Sequence, residues 1–282
     1  MKSFCAACIL VIACAGSAGA NGFDDFNRGV AAKNHRDFAA AVSFLTAALS
    51  AGDLAPDLRP VALVDRGAAY FEEDKYTEAI ADFDAALKLN PQPFEALSGR
   101  ARALAASGNM TAALTDCQNM INSWPYSTNV YELCGRLDWE MGNYPNAASK
   151  FETALQLNPR NPYSLLWYRL ALLNSHSESK SRMHEFARFR DIDGWPSPIL
   201  DLYLSNGSLE GAERAANDAD DETRRNRTCE VGFYGGEWQL LQGDVAGARV
   251  LLKEAVDLCR EDYIESEPAK SELKRLNNGA TQ

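Results

Sequence analysis

The stretch RGAAYFEEDKYTEAIADFDAALKLNP, residues 66–91, has two counterparts further along the chain. They are RARALAASGNMTAALTDCQNMINSWP at 100–125 and CGRLDWEMGNYPNAASKFETALQLNP at 134–159, so the three stretches follow one another at equal steps. A small residue recurs at the place of Ala79, and a proline closes each stretch. Because alanine lets two helices approach closely and proline disfavours a helix in the residue before it, each stretch is predicted to hold a helical hairpin.

A period of about 34 residues is that of the tetratricopeptide repeat (TPR), a helix-turn-helix unit whose copies stack side by side. The pattern predicts an all-α fold, a right-handed α-α superhelix or TPR solenoid of about five repeats. A charged amphipathic helix near the C-terminus is predicted to be a capping helix whose outer face is exposed to solvent. In chain order the predicted units are residues 21–56, 60–93, 94–127, 128–161 and 229–262, followed by the cap at 263–276.

The period fades in the middle of the C-terminal half. Short helices are expected there at 183–190 and 199–204, and the charged run 217–227 is expected to be an exposed loop, with a helical turn within it as the alternative. The chain is therefore divided into a signal peptide, a regular TPR array, a degenerate repeat with linker helices, and a final TPR-like repeat with its cap. The corresponding ranges are residues 1–20, 21–161, 162–227 and 228–282.

The N-terminus has the features of an export signal. Lys2 precedes an apolar run over 4–15, and Ala18-Gly19-Ala20 is a small-x-small cleavage site. A second interpretation is that Val11-Ile12-Ala13-Cys14 is a lipobox, with Cys14 lipidated. The first places the protein in the periplasm or otherwise outside the cytoplasm, and the second makes it an outer-membrane lipoprotein. No later segment is apolar enough to be predicted to span a membrane.

Charge and residue spacing point away from several functions. A formal net charge of -11 and a pI near 4.8 disfavour nucleic acid as a partner. No cysteine or histidine has zinc spacing, and no glycine-rich phosphate loop occurs, so neither metal nor cofactor is expected. His35, His176 and His184 are scattered and are predicted to be surface residues. Without a converging acid/base set the chain is not predicted to be an enzyme, although an enzyme is the alternative from another functional class.

Four cysteines remain after cleavage, and helix-hairpin geometry predicts how they pair. Cys229 is expected to begin the first helix of the last repeat and Cys259 to end its second helix. Antiparallel helices of similar length bring these two ends together. Cys117, late in one second helix, and Cys134, early in the next first helix, are the other candidate pair, with a buried free Cys117 as the alternative.

The first helices of a TPR stack line its groove, where a peptide or protein partner is expected to bind. Arg102 and Arg136 occupy equivalent places one repeat apart and should stand one above the other, both exposed. Arginine and aromatic residues often anchor partners, although pairing with nearby glutamates is the alternative. The predicted groove residues are Asp65, Phe71, Ser98, Arg102, Asn129, Glu132, Arg136 and Trp139.

Several stretches resemble the NlpI family of bacterial envelope TPR lipoproteins. The similarity lies in Asp65-Arg66-Gly67, Asn161-Pro162-Tyr163, Trp195-Pro196 and the run CEVGFY at 229–234 ahead of Gly243-Asp244. The resemblance implies a non-enzymatic adaptor that brings cell-wall hydrolases to a periplasmic protease. An assembly or secretion factor for a periplasmic complex is the alternative. The sequence leaves the partner's identity and the oligomeric state open.

Overall fold

Five helical hairpins share one backbone device at their turns. A residue with positive φ stands at the equivalent place in each turn, and in three of the five it is a glycine. Because glycine adopts this left-handed conformation without steric cost, it suits a tight reversal between two helices. The other two hairpins reverse at Arg36 and Asp74, which adopt the same conformation with φ of 62° and 56°.

A computed structural model describes residues 21–90, 94–175, 194–204, 207–217, 220–260 and 263–279. Within these ranges all regular structure is helical, which confirms the predicted all-α fold. The helices are α1 (Gly22–Asn34), α2 (Phe38–Ser50), α3 (Leu58–Glu72), α4 (Tyr76–Leu89), α5 (Phe94–Ala106), α6 (Met110–Ser123), α7 (Thr128–Glu140), α8 (Tyr144–Leu157), α9 (Pro162–Asn174), α10 (Ser197–Tyr203), α11 (Leu209–Asn217), α12 (Asp221–Leu241), α13 (Val245–Leu258) and α14 (Ser266–Asn277).

The helices form two layers, as expected of a solenoid. Each helix packs against the one before and after it from α1 to α9, and the first helices α3, α5, α7 and α9 also contact one another in turn. Phe83 and Phe151, each at most 2% exposed, fill the space between paired helices. They lie against Gly67 and Gly135, where an added Cβ would come within about 3 Å of the ring.

Arginine–aspartate pairs also hold neighbouring helices together. Arg66 of α3 donates two hydrogen bonds to Asp82 of α4, both 2.7 Å long. One repeat later, Arg100 of α5 donates to Asp116 of α6 at 2.8 and 2.6 Å, and to Asp84 of α4 at 2.5 Å. Bidentate arginine–carboxylate pairs fix geometry well, so they help to set the register of the repeats.

Both predicted cysteine pairs are at disulfide distance. Cys117 and Cys134 join α6 to α7 across a repeat boundary, with 5.5 Å between their Cα atoms. Cys229 and Cys259 are also bonded, with a Cα separation of 4.8 Å. The start of the last repeat was nevertheless wrong, because its first helix begins at Asp221 rather than at Cys229.

The charged run at 217–227 therefore belongs mainly to a helix and not to a loop. The Asp220 side chain caps α12 by accepting a hydrogen bond from the Thr223 amide, and Asp221 and Glu222 occupy its first turn. Acidic residues at a helix N-terminus are stabilised by the helix dipole, which explains why so polar a stretch is helical. The expected helix at 199–204 is present as α10, whereas the one expected at 183–190 lies outside the described residues.

The C-terminal cap does more than close the end of the array. Helix α14 packs against α13 and also contacts α7, seven described helices earlier in the chain. The segment that leads into it, residues 263–268, thereby lies near the inner layer of the solenoid. This fold-back was not predicted, and it creates the cavity described below.

Three further predictions concern the export signal, the histidines and membrane-spanning segments. The signal peptide and Cys14 lie outside the described residues, as do His176 and His184. His35 is exposed in the turn after α1, as predicted. Of the helices the structure describes, none combines the length and apolar character needed to cross a bilayer.

Candidate binding cavity

A cavity of about 250 Å³ lies between the inner helices α5 and α7 and the segment 263–268. Its walls combine apolar side chains with a few charged ones, the composition of many ligand sites. Four of the eight predicted groove residues line it, namely Ser98, Arg102, Asn129 and Arg136. Among the residues that the structure describes, the lining consists of Phe94, Ser98, Arg102, Ala105, Ala106, Asn129, Leu133, Arg136, Leu137, Glu140, Tyr263, Ile264, Glu267 and Pro268.

The space exists because one repeat carries a small residue where its neighbours carry an aromatic one. Phe71, Ala105 and Trp139 occupy equivalent positions in three successive repeats. Phe71 and Trp139 are 5% and 3% exposed, so both rings fill their repeats. Ala105 leaves the corresponding volume empty, and it lines the cavity.

Arg102 reaches the cavity from α5. Its guanidinium carbon lies 4.4 Å from the centre of the Phe71 ring, a cation–π contact that holds the side chain in place. Within the described part of the chain, Arg102 makes neither a hydrogen bond nor an ion pair. Phe71, predicted to line the groove, thus acts beneath it as a support for Arg102.

Arg136 and Glu140 lie one turn apart on α7, and both line the cavity. No residue in the described ranges forms a hydrogen bond or an ion pair with either of them. Burial lowers the pKa of Arg136, against the attraction of Glu132, Glu140 and Glu265. Burial also raises the pKa of Glu140 to about 7, although Arg136 opposes the shift.

The two cavity arginines differ from Arg66 and Arg100 in their partners. Arg66 and Arg100 are each held by a buried aspartate, whereas Arg102 and Arg136 have no such partner among the described residues. Arg102 and Arg136 are also half-buried, so the prediction that both are exposed was wrong. They are enclosed because the segment 263–268 covers the inner helices at this point.

The remaining predicted groove residues lie elsewhere and have structural partners. Asp65 is buried and pairs with Lys33 of α1. Glu132 accepts hydrogen bonds from Asn161 Nδ2 at 2.7 Å and Ser164 Oγ at 2.5 Å, which ties α7 to the start of α9. Trp139, expected on the groove wall, is in the core, where its ring contacts Trp167 and Phe233.

Sequence reasoning missed one whole wall of the site. Tyr263, Ile264, Glu267 and Pro268 line the cavity although the whole irregular region separates them from α7 in the chain. No repeat spacing connects them with α5 or α7. Glu140 could have been predicted from the sequence. It stands at i+4 from Arg136 and therefore lies on the same helix face.

A second group of hydrogen-bonded polar residues connects α12 with the C-terminal segment, with α9 and with Trp195. The Tyr234 hydroxyl donates to Glu265 Oε1 at 2.9 Å, while Trp195 Nε1 and the Tyr163 hydroxyl donate to Glu230 at 2.9 and 3.0 Å. Burial raises the pKa of Glu265 to about 8 and also raises that of Glu230. The hydrogen bond of Glu265 anchors the segment to α12, whereas Glu230, itself on α12, joins that helix to α9 and to Trp195.

The described residues contain no cluster of three or more His, Cys, Asp or Glu side chains placed to hold a metal ion. The cavity itself presents two guanidinium groups, two carboxyl groups and a phenol. This set can bind an anionic or hydrogen-bonding group.

The comparison with protein families identifies the repeats. Residues 64–127 and 135–176 match the sequence profile of the tetratricopeptide repeat. The match covers most of the central hairpins and the start of the irregular region, including all of α5 and the second half of α7.

Solved structures show the same fold. A TPR protein from Parabacteroides merdae ATCC 43184 is similar over 90% of this chain and 97% of its own, with 18% identity and a TM-score of 0.59. MamA residues 41 to the end from Desulfovibrio magneticus RS-1 is similar over 62% and 99%, with 18% identity and a TM-score of 0.50. YrrB, a TPR protein with an unusual peptide-binding site, covers 66% and 92%, with 16% identity and a TM-score of 0.50. The chain therefore has the fold of a TPR solenoid.

Proposed function

We propose that this protein is a non-enzymatic adaptor that binds a peptide segment of a partner protein in the cavity between α5, α7 and residues 263–268. The observation that carries the proposal is the pair Arg102 and Arg136, two half-buried guanidinium groups that form no hydrogen bond or ion pair with an acidic side chain among the described residues. Leaving a buried charge unpaired is costly, so the arrangement is best explained by a ligand that supplies the missing partner. The fold is compatible with this role, since YrrB has a peptide-binding site on a similar solenoid.

The cell envelope is the proposed location. The basic start, apolar run and Ala18-Gly19-Ala20 site support export to the periplasm, with an outer-membrane lipoprotein as the outcome if Cys14 is lipidated. Two cysteine pairs at disulfide distance also suit an oxidising compartment. The resemblance to the NlpI family supports a finer proposal, in which the bound partners are a periplasmic protease and cell-wall hydrolases.

Binding is tested with purified full-length mature protein and a displayed library of random peptides. Selected peptides are then measured against Arg102→Gln, Arg136→Gln and Ala105→Phe, the last of which places an aromatic ring where neighbouring repeats have one. We expect each variant to weaken binding about thirtyfold or more, the effect of losing a hot-spot contact of ~2 kcal/mol. Exposed Arg160 provides the control variant Arg160→Gln, which should bind as the unaltered protein does.

The variants separate a binding role from a structural one. All four should melt cooperatively, and circular dichroism should show unchanged helix content. If selected peptides bind Ala105→Phe and both arginine variants with unaltered affinity, the cavity is not the binding site and the proposal is wrong.

Location is tested by fractionation and by sequencing the mature N-terminus. Cleavage after Ala20 gives a chain that begins at Asn21, whereas lipidation gives one that begins at modified Cys14. An intact N-terminus in the cytoplasmic fraction would exclude both forms of the proposal.

A further inference from the structure

Arg136 and Glu140 are placed as an ion pair but do not form one. They stand at i and i+4 on α7, a spacing at which opposite charges commonly meet. Instead both side chains line the cavity, and the described residues provide neither of them with a hydrogen bond. Both groups are thus left for whatever occupies the cavity.

The charges around Glu140 come from every wall of the cavity. Arg136 lies on the same helix and Arg102 comes from α5, and both favour the carboxylate form. Glu267, from the C-terminal segment, favours the neutral form, as does burial, which has the largest effect. Tyr263 lies on the same wall as Glu267, whose carboxylate also pairs with Lys270.

The protonation state of Glu140 decides what this group can do for an anion. A neutral carboxyl group donates one hydrogen bond through its hydroxyl, whereas a carboxylate only accepts. An incoming carboxylate would accept hydrogen bonds from the guanidinium groups in either state, but an ionised Glu140 would repel it.

We propose that the cavity binds a carboxylate of its partner peptide together with one proton held on Glu140, so that acidification tightens binding. The inference rests on the proposed function and adds to it the chemical class of the recognised group and a linkage to pH. The proton would lie between Glu140 and the bound carboxylate, while Arg102 and Arg136 balance the remaining negative charge. The pKa of Glu140, raised to about 7 by burial, would place the change near neutral pH.

The test uses two small probes whose own carboxyl groups remain ionised above pH 6. N-acetylglutamate N-methylamide carries an acidic side chain without a free terminus, and N-acetylglycine carries a terminal carboxylate. The neutral glutamine analogue of the first is the control ligand. Binding is followed by the Nε–H signals of Arg102 and Arg136 in nuclear magnetic resonance spectra of the full mature chain, between pH 6 and 8.5. The probe that binds identifies the source of the carboxylate.

We expect binding of at least one acidic probe to perturb both arginine signals and to weaken above pH 7 by about tenfold per pH unit, the limit for one linked proton. Glu140→Gln keeps a hydrogen-bond donor without a titrating group, so it should bind with the acid-side affinity at all pH values. Glu78→Gln, at an exposed position of α4, is the matched control and should keep the pH dependence. The Glu140 carboxyl carbon signal should report a higher pKa when the probe is bound.

Two results would overturn the inference. One is an identical pH dependence in the unaltered protein and in Glu140→Gln. The other is the absence of any perturbation of the arginine signals by either acidic probe at every pH. If library peptides still depend on Arg102 and Arg136 in either case, the proposed function stands and only the proton-linked carboxylate is refuted.

Discussion

Arg100 in α5 and Cys134 in α7 occupy the same position in successive repeats, and both connect their helices to α6. Arg100 pairs with Asp116 of α6. Cys134 is bonded to Cys117, the residue that follows Asp116 in α6. Helix α6 is therefore linked through adjacent residues to α5 on one side and to α7 on the other. Helices α5 and α7 carry the cavity residues Arg102 and Arg136. The two links to α6 therefore fix the distance between the helices that bear these arginines.

The disulfide between Cys117 and Cys134 should stabilise the protein. It closes a loop of 17 residues, for which chain entropy gives about 3 kcal/mol. The double variant Cys117→Ala/Cys134→Ala should melt roughly 6–12 °C below the oxidised parent in differential scanning calorimetry. The same substitutions at Cys229 and Cys259 provide the comparison. Four free thiols in protein purified under oxidising conditions would show that neither bond forms.

Removing Arg100 should cost more than removing an exposed arginine. Asp116, 3% exposed, would keep its negative charge without the two hydrogen bonds it now accepts. The variant Arg100→Ala is expected to lower the free energy of unfolding by about 3 kcal/mol, as for other broken buried pairs. Urea titration measures the change, with Arg160→Ala as the control. Equal midpoints for the two variants would mean that the Arg100 pair contributes nothing.

A methyl group at Gly232 should be poorly tolerated. An added Cβ would lie 2.8 Å from the Leu251 carbonyl oxygen and 2.9 Å from the Ala255 amide nitrogen, both backbone atoms of α13. Backbone cannot rotate away as a side chain can, so Gly232→Ala should force α12 and α13 apart at a cost of about 1–3 kcal/mol. Gly52→Ala is the control, because no atom lies within 4 Å of its Cβ position. A thermal scan in which both variants melt together would contradict this close approach.

Stability should fall as the pH rises from about 5 to 8. The pKa of Glu265 is raised from 4.5 to about 8 in the folded protein, so the folded state binds more protons than the unfolded state between these values. The associated stability is fully present below about pH 4.5 and is lost as the pH rises through 8, by up to about 1.4 kcal/mol per pH unit. The raised pKa of Glu140 likewise lowers the stability of the folded protein as the pH rises to about 7.

Glu265→Gln tests this assignment because the amide oxygen can still accept the hydrogen bond from Tyr234. Urea unfolding of the variant should depend less steeply on pH than that of the parent between pH 5 and 8. Exposed Glu95 gives the control Glu95→Gln. Parallel curves for the parent and Glu265→Gln would show that Glu265 is not the group responsible.

The repeat spacing was enough to predict most of the fold, and half of the residues predicted for the groove line the cavity. Residues one repeat apart face the same way in successive hairpins, so Arg102 and Arg136 could be placed together from their numbers alone. The same logic failed for Trp139, because equivalent positions share a direction but not an environment. At that point the array meets the aromatic residues Trp167 and Phe233 of the irregular region, which cover the ring.

The rest of the site depends on a contact that periodicity does not encode. The segment 263–268 reaches α7 across the whole irregular region, and it does so through buried partners such as Glu265 and Tyr234. In the sequence these residues resemble an ordinary charged cap. Which surface a cap covers is determined by the curvature of the complete array, and a single repeat does not specify that curvature.

The position of the C-terminal segment also determines when the site comes into being. Repeats that contact only their neighbours can order progressively from the N-terminus as a chain emerges. The arginines of α5 and α7 would then be in place early, but with one wall of the cavity missing. That wall is supplied by residues 263–268, which follow all of the helical hairpins in the chain. A chain synthesised only as far as the last hairpin, or cut after it, would carry every repeat and still lack one wall of the binding site, so peptide binding would require that residues 263–268 are present.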